Sequence, residues 1–484
     1  MKELEPKELW GYFDDILKIP RISKNEEKIL LYLVEFAEKY GLPYKKDGAG
    51  NLLISKPATS GFENRETIIL QSHIDMVGEK LSESNHDFYK DAIEARIVDG
   101  WVKAKGTTLG ADDGIGVAAS LAVLSSNTLK HGAIECLFTS DEETGMTGAF
   151  GLEAGFMEGK ILLNLDSEDE GEIFIGCAGG IDTVGKFTAL TKVTKKDKVA
   201  RKVSIDGLKG GHSGDEIHKN HANAIKLLNR FLWNADRKLP LHLAAFEGGK
   251  LRNAIPRDAS AILVMTVETA SLFDEYFQSF KDYVSADILS FEPGFIMELQ
   301  VVDLPKTRFT RAFQRDFMNA IYALPHGAMT WTQDMPDLVE TSSNLALVRT
   351  IKGNIIEVVT SQRSSVDTAR RDIADHINAL FTLAGAEVVH SDGYPGWKPN
   401  MDSVILKISE QVYKDIFKSD PEVKAIHAGL ECGLFLEKYP ELDMISFGPT
   451  IKGAHTPEER IEIETVMKFW DFLVALLKET PLAN

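Results

Sequence analysis

Cysteine is scarce: Cys136, Cys177 and Cys432 are the only three in 484 residues. They are odd in number, far apart and free of CxxC spacing. That excludes a disulfide framework and a thiolate metal site, so any bound metal must use His, Asp or Glu. Basic residues are outnumbered too, 54 Lys and Arg against 73 Asp and Glu, and the net charge of −19 repels phosphate backbones and anionic membrane surfaces. Nucleic acid is therefore not an expected partner. Long apolar runs are missing as well. The stretch at 118–124 falls far short of the roughly 18–20 residues that span a bilayer, so no membrane partner is expected. The opening MKELEPKELWGYFDDIL carries acids where a signal peptide has a basic start and an unbroken apolar core. The expected location is the cytoplasm.

What is present is ordinary globular material, 44% apolar and 26% charged. At a prior of roughly 150 residues per domain it suffices for about three domain-sized units. Residues 8–18 and 25–40 have helical periodicity. ETIILQSHIDM reads as a buried strand, GIGVAASLAVLSS as a helix of small apolar residues, and AIECLFTSDEE and KILLNLDSED as strands that end in acids. This is α/β architecture, and in such sheets ligands bind beyond the carboxyl ends of the strands. Near residue 185 the pattern changes. TALTKVTKKDKVARK, with six bases and one acid, reads as a solvated turn between flanking strands at a domain entrance. Helix 219–234, strands 241–247 and 257–268 and helix 270–286 follow. Helix 307–323, strands 343–350 and 354–362 and helix 366–384 repeat that order. SDGYPGWKPN marks an exit. The economical reading is a catalytic domain in two pieces, 1–185 and 396–484, with an α+β domain inserted at 186–395.

Most of the twelve histidines have no distinguishing context. His73 does: it ends a strand, and Asp75 two residues on lies on the same face, placed to hold the imidazole's other nitrogen. Asp112 and Asp113 sit in the Gly-rich turn of GTTLGADDGIGVA, where helix capping is the plainer explanation for either alone. Asp141, Glu142 and Glu143 cluster at a strand end, where like charges repel unless cations neutralise them. Asp166 follows another apolar strand, and His455 lies in a loop before the last helix. Together His73, Asp112, Glu143, Asp166 and His455 supply two imidazoles and three carboxylates, a mixture suited to zinc, manganese or cobalt. One carboxylate bridging two ions, with two further ligands on each, leaves room for a shared water, and Glu142 remains for proton transfer.

HIDMV, GADDGIGVA, SDEETGMTGA, the Asp after NL, GGHSG, RNAIP and GPTIKGAHTPEE resemble, in order and spacing, the co-catalytic zinc metallopeptidase family of aminoacylases, carboxypeptidase G and dipeptidases. The likeness covers the whole chain. Its length, its GADDGIG variant and its HAGLECG segment are nearest the branch that splits aminoacyl-histidine dipeptides. The resemblance implies a mixed-sheet zinc-peptidase catalytic domain with an inserted α+β lid that also pairs the chain as a homodimer. It implies two divalent ions, zinc first and cobalt or manganese next, with Asp112 bridging, His73 and Asp166 on one ion and Glu143 and His455 on the other. Asp75 then orients His73, and Glu142 is the base that activates a metal-bridging water. His212, Asn253 and Arg363 are implied to contact a small dipeptide substrate, with Gly429 in a second tier. Arg363 suits a terminal carboxylate and His212 the scissile carbonyl. Two departures bear on substrate. Gly114 stands where many relatives have a lysine. Position 166 is Asp, as in the family's aminopeptidases and dipeptidases, whereas its deacylases and carboxypeptidases usually carry Glu. The implied activity is hydrolysis of unblocked dipeptides, with N-acyl amino acid deacylation as the alternative.

Overall fold

Ile68, Ile69 and Leu70 form an unbroken apolar triplet because the strand they open, Ile68–His73, is covered on both faces: all six of its residues are buried. Each such side chain contributes about 1.5–3 kcal/mol by leaving water, which anchors the strand while its polar end is presented. The computed structural model describes residues 1–333, 335–352 and 354–483. They divide into two compact units, one of 1–177, 397–425 and 430–484, the other of 178–396 and 426–429.

The first unit is built on an eight-stranded mixed sheet. Its order is Tyr44–Lys46, Leu52–Lys56, Ile134–Thr139, Ile68–His73, Ile161–Asn164, Asp443–Ser446, Glu172–Cys177 and Glu422–Ile426. Ile68–His73 runs parallel to both of its neighbours, and Ile161–Asn164 is also parallel to Asp443–Ser446, so three acid-tipped or His-tipped ends leave the sheet together. The helices Lys7–Ile16 and Glu27–Tyr40 cover the expected periodic segments. Ala111–Ser125 is buried continuously from Asp113 to Leu124, as its small apolar residues on every side require. A four-stranded sheet joins Ala95–Val98 and Trp101–Ala104 to the hairpin of Ile451–Lys452 and Arg460–Glu462. The loop of that hairpin carries His455 and Glu459.

The second unit holds a nine-stranded sheet whose pairings are all antiparallel. Helices Ala224–Lys238, Val267–Ile288, Arg311–Ala323 and Asp367–Leu383 bury Phe231, Phe273, Phe317 and Phe381 in its core. The expected helix, strand, strand, helix order is present in the first copy, whereas the second carries an extra strand, Gly327–Trp331, paired with Val339–Ile351. Residues 307–323 are not helical throughout. Thr307–Phe309 is a strand paired with Thr191–Val193, and the helix starts at Arg311 because the Thr310 hydroxyl accepts from the Phe313 N–H. Thr191–Val193 likewise adds a short strand to the basic stretch read as a turn. The edge strand Ile296–Val302 was not expected, although Met297, Glu298, Leu299, Gln300 and Val301 alternate apolar and polar as a half-buried strand does. Among the described residues no helix is long and apolar enough to cross a membrane.

Candidate metal centre

Three strand ends and two loops of the first unit deliver the donor atoms. His73 ends its strand with the imidazole 1% exposed. Its Nε2 lies 3.0 Å from Asp112 Oδ1 and 3.3 Å from Asp166 Oδ1. The other oxygen of Asp112 turns to the opposite side, 3.1 Å from His455 Nε2, which also lies 2.9 Å from Glu143 Oε2. Asp112 is thus shared by two triads, His73–Asp112–Asp166 and Asp112–Glu143–His455, within each of which the donor atoms lie within 4.8 Å of one another. One carboxylate with an oxygen in each triad has the shape of a bridging ligand.

The charges there are mutually unsatisfied without added cations. Burial pushes the Asp166 carboxyl up to about 7. Against the same pull of burial, the His455 and His73 imidazoles hold Asp112 well below the usual carboxylate range. Hydrogen bonding to Asp112 and Glu143 pushes His455 up to about 11, and Asp166, Asp112 and Asp75 overcome burial to push His73 well above its ordinary value. Both imidazoles are driven to hold protons by the carboxylates they face. Divalent cations meet that demand for positive charge, and the set of two imidazoles and three carboxylates suits borderline ions. Glu142 joins neither triad through Asp112. Burial, with Asp166, Glu431 and Glu143 nearby, pushes its carboxyl well above the ordinary range, so it is poised to hold a proton.

Local structure explains the placement. Asp141 takes a left-handed conformation, φ 53°, and its carboxylate accepts from the hydroxyls of Thr144 and Thr147. This turns the end of Ile134–Thr139 into the short helix Glu142–Gly145. Asp75 then receives the backbone N–H of Glu142 at 3.0 Å and of Glu143 at 3.2 Å, as well as the Ser23 hydroxyl at 2.8 Å, and stands 3.4 Å from His73 Nδ1. A single carboxylate therefore orients the imidazole and the loop of the two glutamates.

Two supports escaped the sequence reading. Glu459, 2% exposed, accepts the backbone N–H groups of Leu109, Gly110, Ala111 and Asp112 at 2.7–3.4 Å and cradles the turn that presents Asp112. Arg21, equally buried, donates to the carbonyls of Ile74, Asp75 and Gly110 and ties that turn to the loop after His73. Their partners are backbone groups, which leave no side-chain motif to find. Arg21 also accounts for Gly114, since a Cβ there would lie 2.5 Å from the guanidinium.

The remaining predicted residues lie in the second unit. His212 Nδ1 pairs with Asp215 Oδ2 at 3.2 Å, and the loop containing His212 bridges that of Asn253, whose carbonyl accepts from Ser213 N–H at 2.8 Å. Asn253 itself is exposed. Arg363 is 8% exposed and donates to the Tyr394 hydroxyl at 3.2 Å, while its Nε has no hydrogen-bond partner among the described residues. Gly429 abuts the Tyr394 ring, where a Cβ would stand 2.8 Å away. His427, beside them, has its Nε2 2.7 Å from the Ser342 hydroxyl.

A model of peptidase family M20/M25/M40 matches residues 69–479. A cytosol non-specific dipeptidase of Escherichia coli is 40% identical over 99% of each chain. The crystal structure of an aminoacylhistidine dipeptidase from Vibrio alginolyticus is similar at TM-score 0.91 and 44% identity, covering 100% of this chain and 98% of that one. A tripeptidase from Staphylococcus aureus shares the fold at TM-score 0.56 and 16% identity, over 99% of each chain.

Proposed function

Because the chain belongs to peptidase family M20/M25/M40, we propose that it is a metallodipeptidase that hydrolyses unblocked dipeptides, those ending in histidine included. The observation that carries this is Asp112, with one oxygen to each of two donor triads. His73 and Asp166 would hold one divalent ion, Glu143 and His455 the other, zinc being the first choice and cobalt or manganese the next. When bound, such a pair acidifies water and polarises a carbonyl. Glu142 takes the proton from the attacking water and passes it to the leaving amine, a role that fits a buried carboxyl whose proton affinity is raised. Asp75 keeps His73 in the orientation and tautomer that leave Nε2 free to ligate.

Arg363 is assigned to the terminal carboxylate, for which its planar fork and unpartnered Nε are suited, and His212 to the scissile carbonyl. Asn253 and Gly429 are assigned to substrate contact. Residues 186–395 act as a lid in this reading. The open edge of Ile296–Val302, with Ile296 and Val301 exposed, supports pairing of two copies through that part of the chain. The name of the Escherichia coli relative and the acidic net charge support a cytosolic location with no nucleic-acid partner.

The test is a panel of alanyl-histidine, its N-acetyl form, its C-terminal amide and alanyl-histidyl-alanine, assayed after chelation and after reloading with zinc. Activity should vanish on chelation and return with two equivalents of metal. The free dipeptide should be cleaved roughly a hundredfold more efficiently than a blocked form, the scale of leaving one buried charge unpaired. Faster cleavage of the acetylated compound would make the protein a deacylase.

A further inference from the structure

Beneath the donor atoms, a file of buried polar side chains crosses the ends of the four central strands of the first sheet. Ser167 and Ser446 share a hydrogen bond of 2.6 Å between their hydroxyls, and Ser446 donates to Asn164 Oδ1. Asn164 Nδ2 donates to Gln71 Oε1 at 2.5 Å. Gln71 Nε2 donates to Glu431 Oε2 at 2.7 Å and to Thr139 Oγ1 at 3.1 Å, and the Thr139 hydroxyl donates to the same Glu431 oxygen at 2.7 Å. None of these six side chains is more than 7% exposed.

The direction of this chain is set at one end. Each amide uses its oxygen toward Ser446 and its nitrogen toward Glu431, so every donor points the same way and the sequence of bonds terminates on Glu431 Oε2, which accepts from both Gln71 and Thr139. Glu431 is that terminus. Reversing any one amide would set donor against donor or acceptor against acceptor along the file, where no water competes. Gln71 lies two residues before His73, Asn164 two before Asp166, and Thr139 three before Glu142. The file thus ties together the three strand ends that carry those residues.

We propose that Glu431 is a positioning residue for the metal centre: as terminal acceptor it fixes Gln71, Thr139 and Asn164 in one orientation, and through them the spacing of His73, Glu143 and Asp166. This rests on the two-metal reading above. It predicts that removing the acceptor weakens metal capture, whereas removing only the charge does not. In Glu431→Gln the amide carbonyl still receives both donors; in Glu431→Leu nothing does.

The test is calorimetric titration of the metal-stripped, full-length protein with Zn2+ alone, alongside thermal unfolding and turnover of alanyl-histidine. Glu431→Leu should bind Zn2+ roughly 10–100-fold more weakly, the scale of losing a partner just outside the ligands. Its kcat should fall while KM holds, and Glu431→Gln should stay within a few-fold of the parent in all three. A Leu variant that binds Zn2+ like the parent would overturn the proposal, as would a Gln variant as weak as Leu. If Glu431→Leu does not fold, Ser446→Ala at the far end of the file replaces it. That variant should weaken Zn2+ several-fold, and unchanged affinity would overturn the proposal equally. A parent protein that binds Zn2+ yet leaves every dipeptide intact refutes the dipeptidase reading instead, while the titration still decides the role of Glu431.

Discussion

Acid should destabilise the second unit through two histidines. Burial pushes His326, whose Nδ1 faces the Asn223 amide at 3.4 Å, down to about 4. Burial, aided by the Arg363 guanidinium, pushes His427 down to about 3. Both are neutral when folded, and in that state His427 Nε2 is free to accept from the Ser342 hydroxyl 2.7 Å away. In the unfolded chain each takes up a proton near the ordinary value of about 6.5. The stability tied to their neutrality is therefore whole above pH 6.5 and drains away as pH falls toward 4 and 3. At pH 5 the unfolded form of each is favoured by about 1.5 pH units of proton binding, or about 2 kcal/mol, so the pair costs about 4 kcal/mol. Domains hold about 5–15 kcal/mol in all, so this loss is a large share. With a urea slope of about 1–3 kcal/mol per molar, the midpoint should fall by more than about 1 M between pH 7.5 and 5. Hydrogen exchange across Ile355–Ser364 reads the effect in the second unit itself. The double variant His326→Gln, His427→Gln should lose about 4 kcal/mol less than the parent over that range. Equal pH slopes in the two proteins would refute the reasoning.

Glu142→Ala should keep its metal and lose roughly two to four decades of turnover, the usual share of a positioned proton carrier; elemental analysis beside steady-state kinetics checks both halves, and near-parental turnover would exclude Glu142 as the base. Glu459→Ala removes the acceptor of four backbone N–H groups, and at about 1–3 kcal/mol for each buried donor left unpaired the turn before Asp112 should loosen, visible as faster exchange at 109–112 and weaker metal binding. Gly114→Ala should cost about 1–3 kcal/mol in thermal unfolding because its new methyl meets the Arg21 guanidinium, and Gly114→Ala in an Arg21→Met background should cost less.

The parts of the centre that were readable in the sequence are those where chemistry and strand pattern coincide. An apolar run that ends in His or acid announces a covered strand and its exposed tip at once, which is how His73, Glu143 and Asp166 could be grouped before any geometry was known. His455 and Asp112 were readable through Gly-rich loops. What could not be read were groups whose partners are backbone atoms far along the chain: Glu459 meets the 109–112 turn across some 350 positions, and Arg21 meets Gly110. Nothing in PEER or PRIS marks such a role. Glu431 lies in the HAGLECG segment, from which only Gly429 was taken as a site, because its function as an acceptor depends on Gln71 and Thr139, 360 and 292 positions away. Thr307–Phe309 misled for the opposite reason, since periodicity alone continued the helix past a threonine cap that only the hydrogen bond identifies.

The strand Asp443–Ser446 sits in the middle of the first sheet, between Ile161–Asn164 and Glu172–Cys177. During synthesis those two neighbours emerge long before it. At about 5–20 residues per second, the gap between them stays open for roughly 15–50 s while the intervening chain is made. Until then two apolar strands face each other across a missing member, and His455 has not yet emerged. The nascent chain passes this interval with an unfinished sheet and an incomplete donor set, so a ribosome that stalls before residue 443 releases a product exposed to aggregation but unable to cleave peptides.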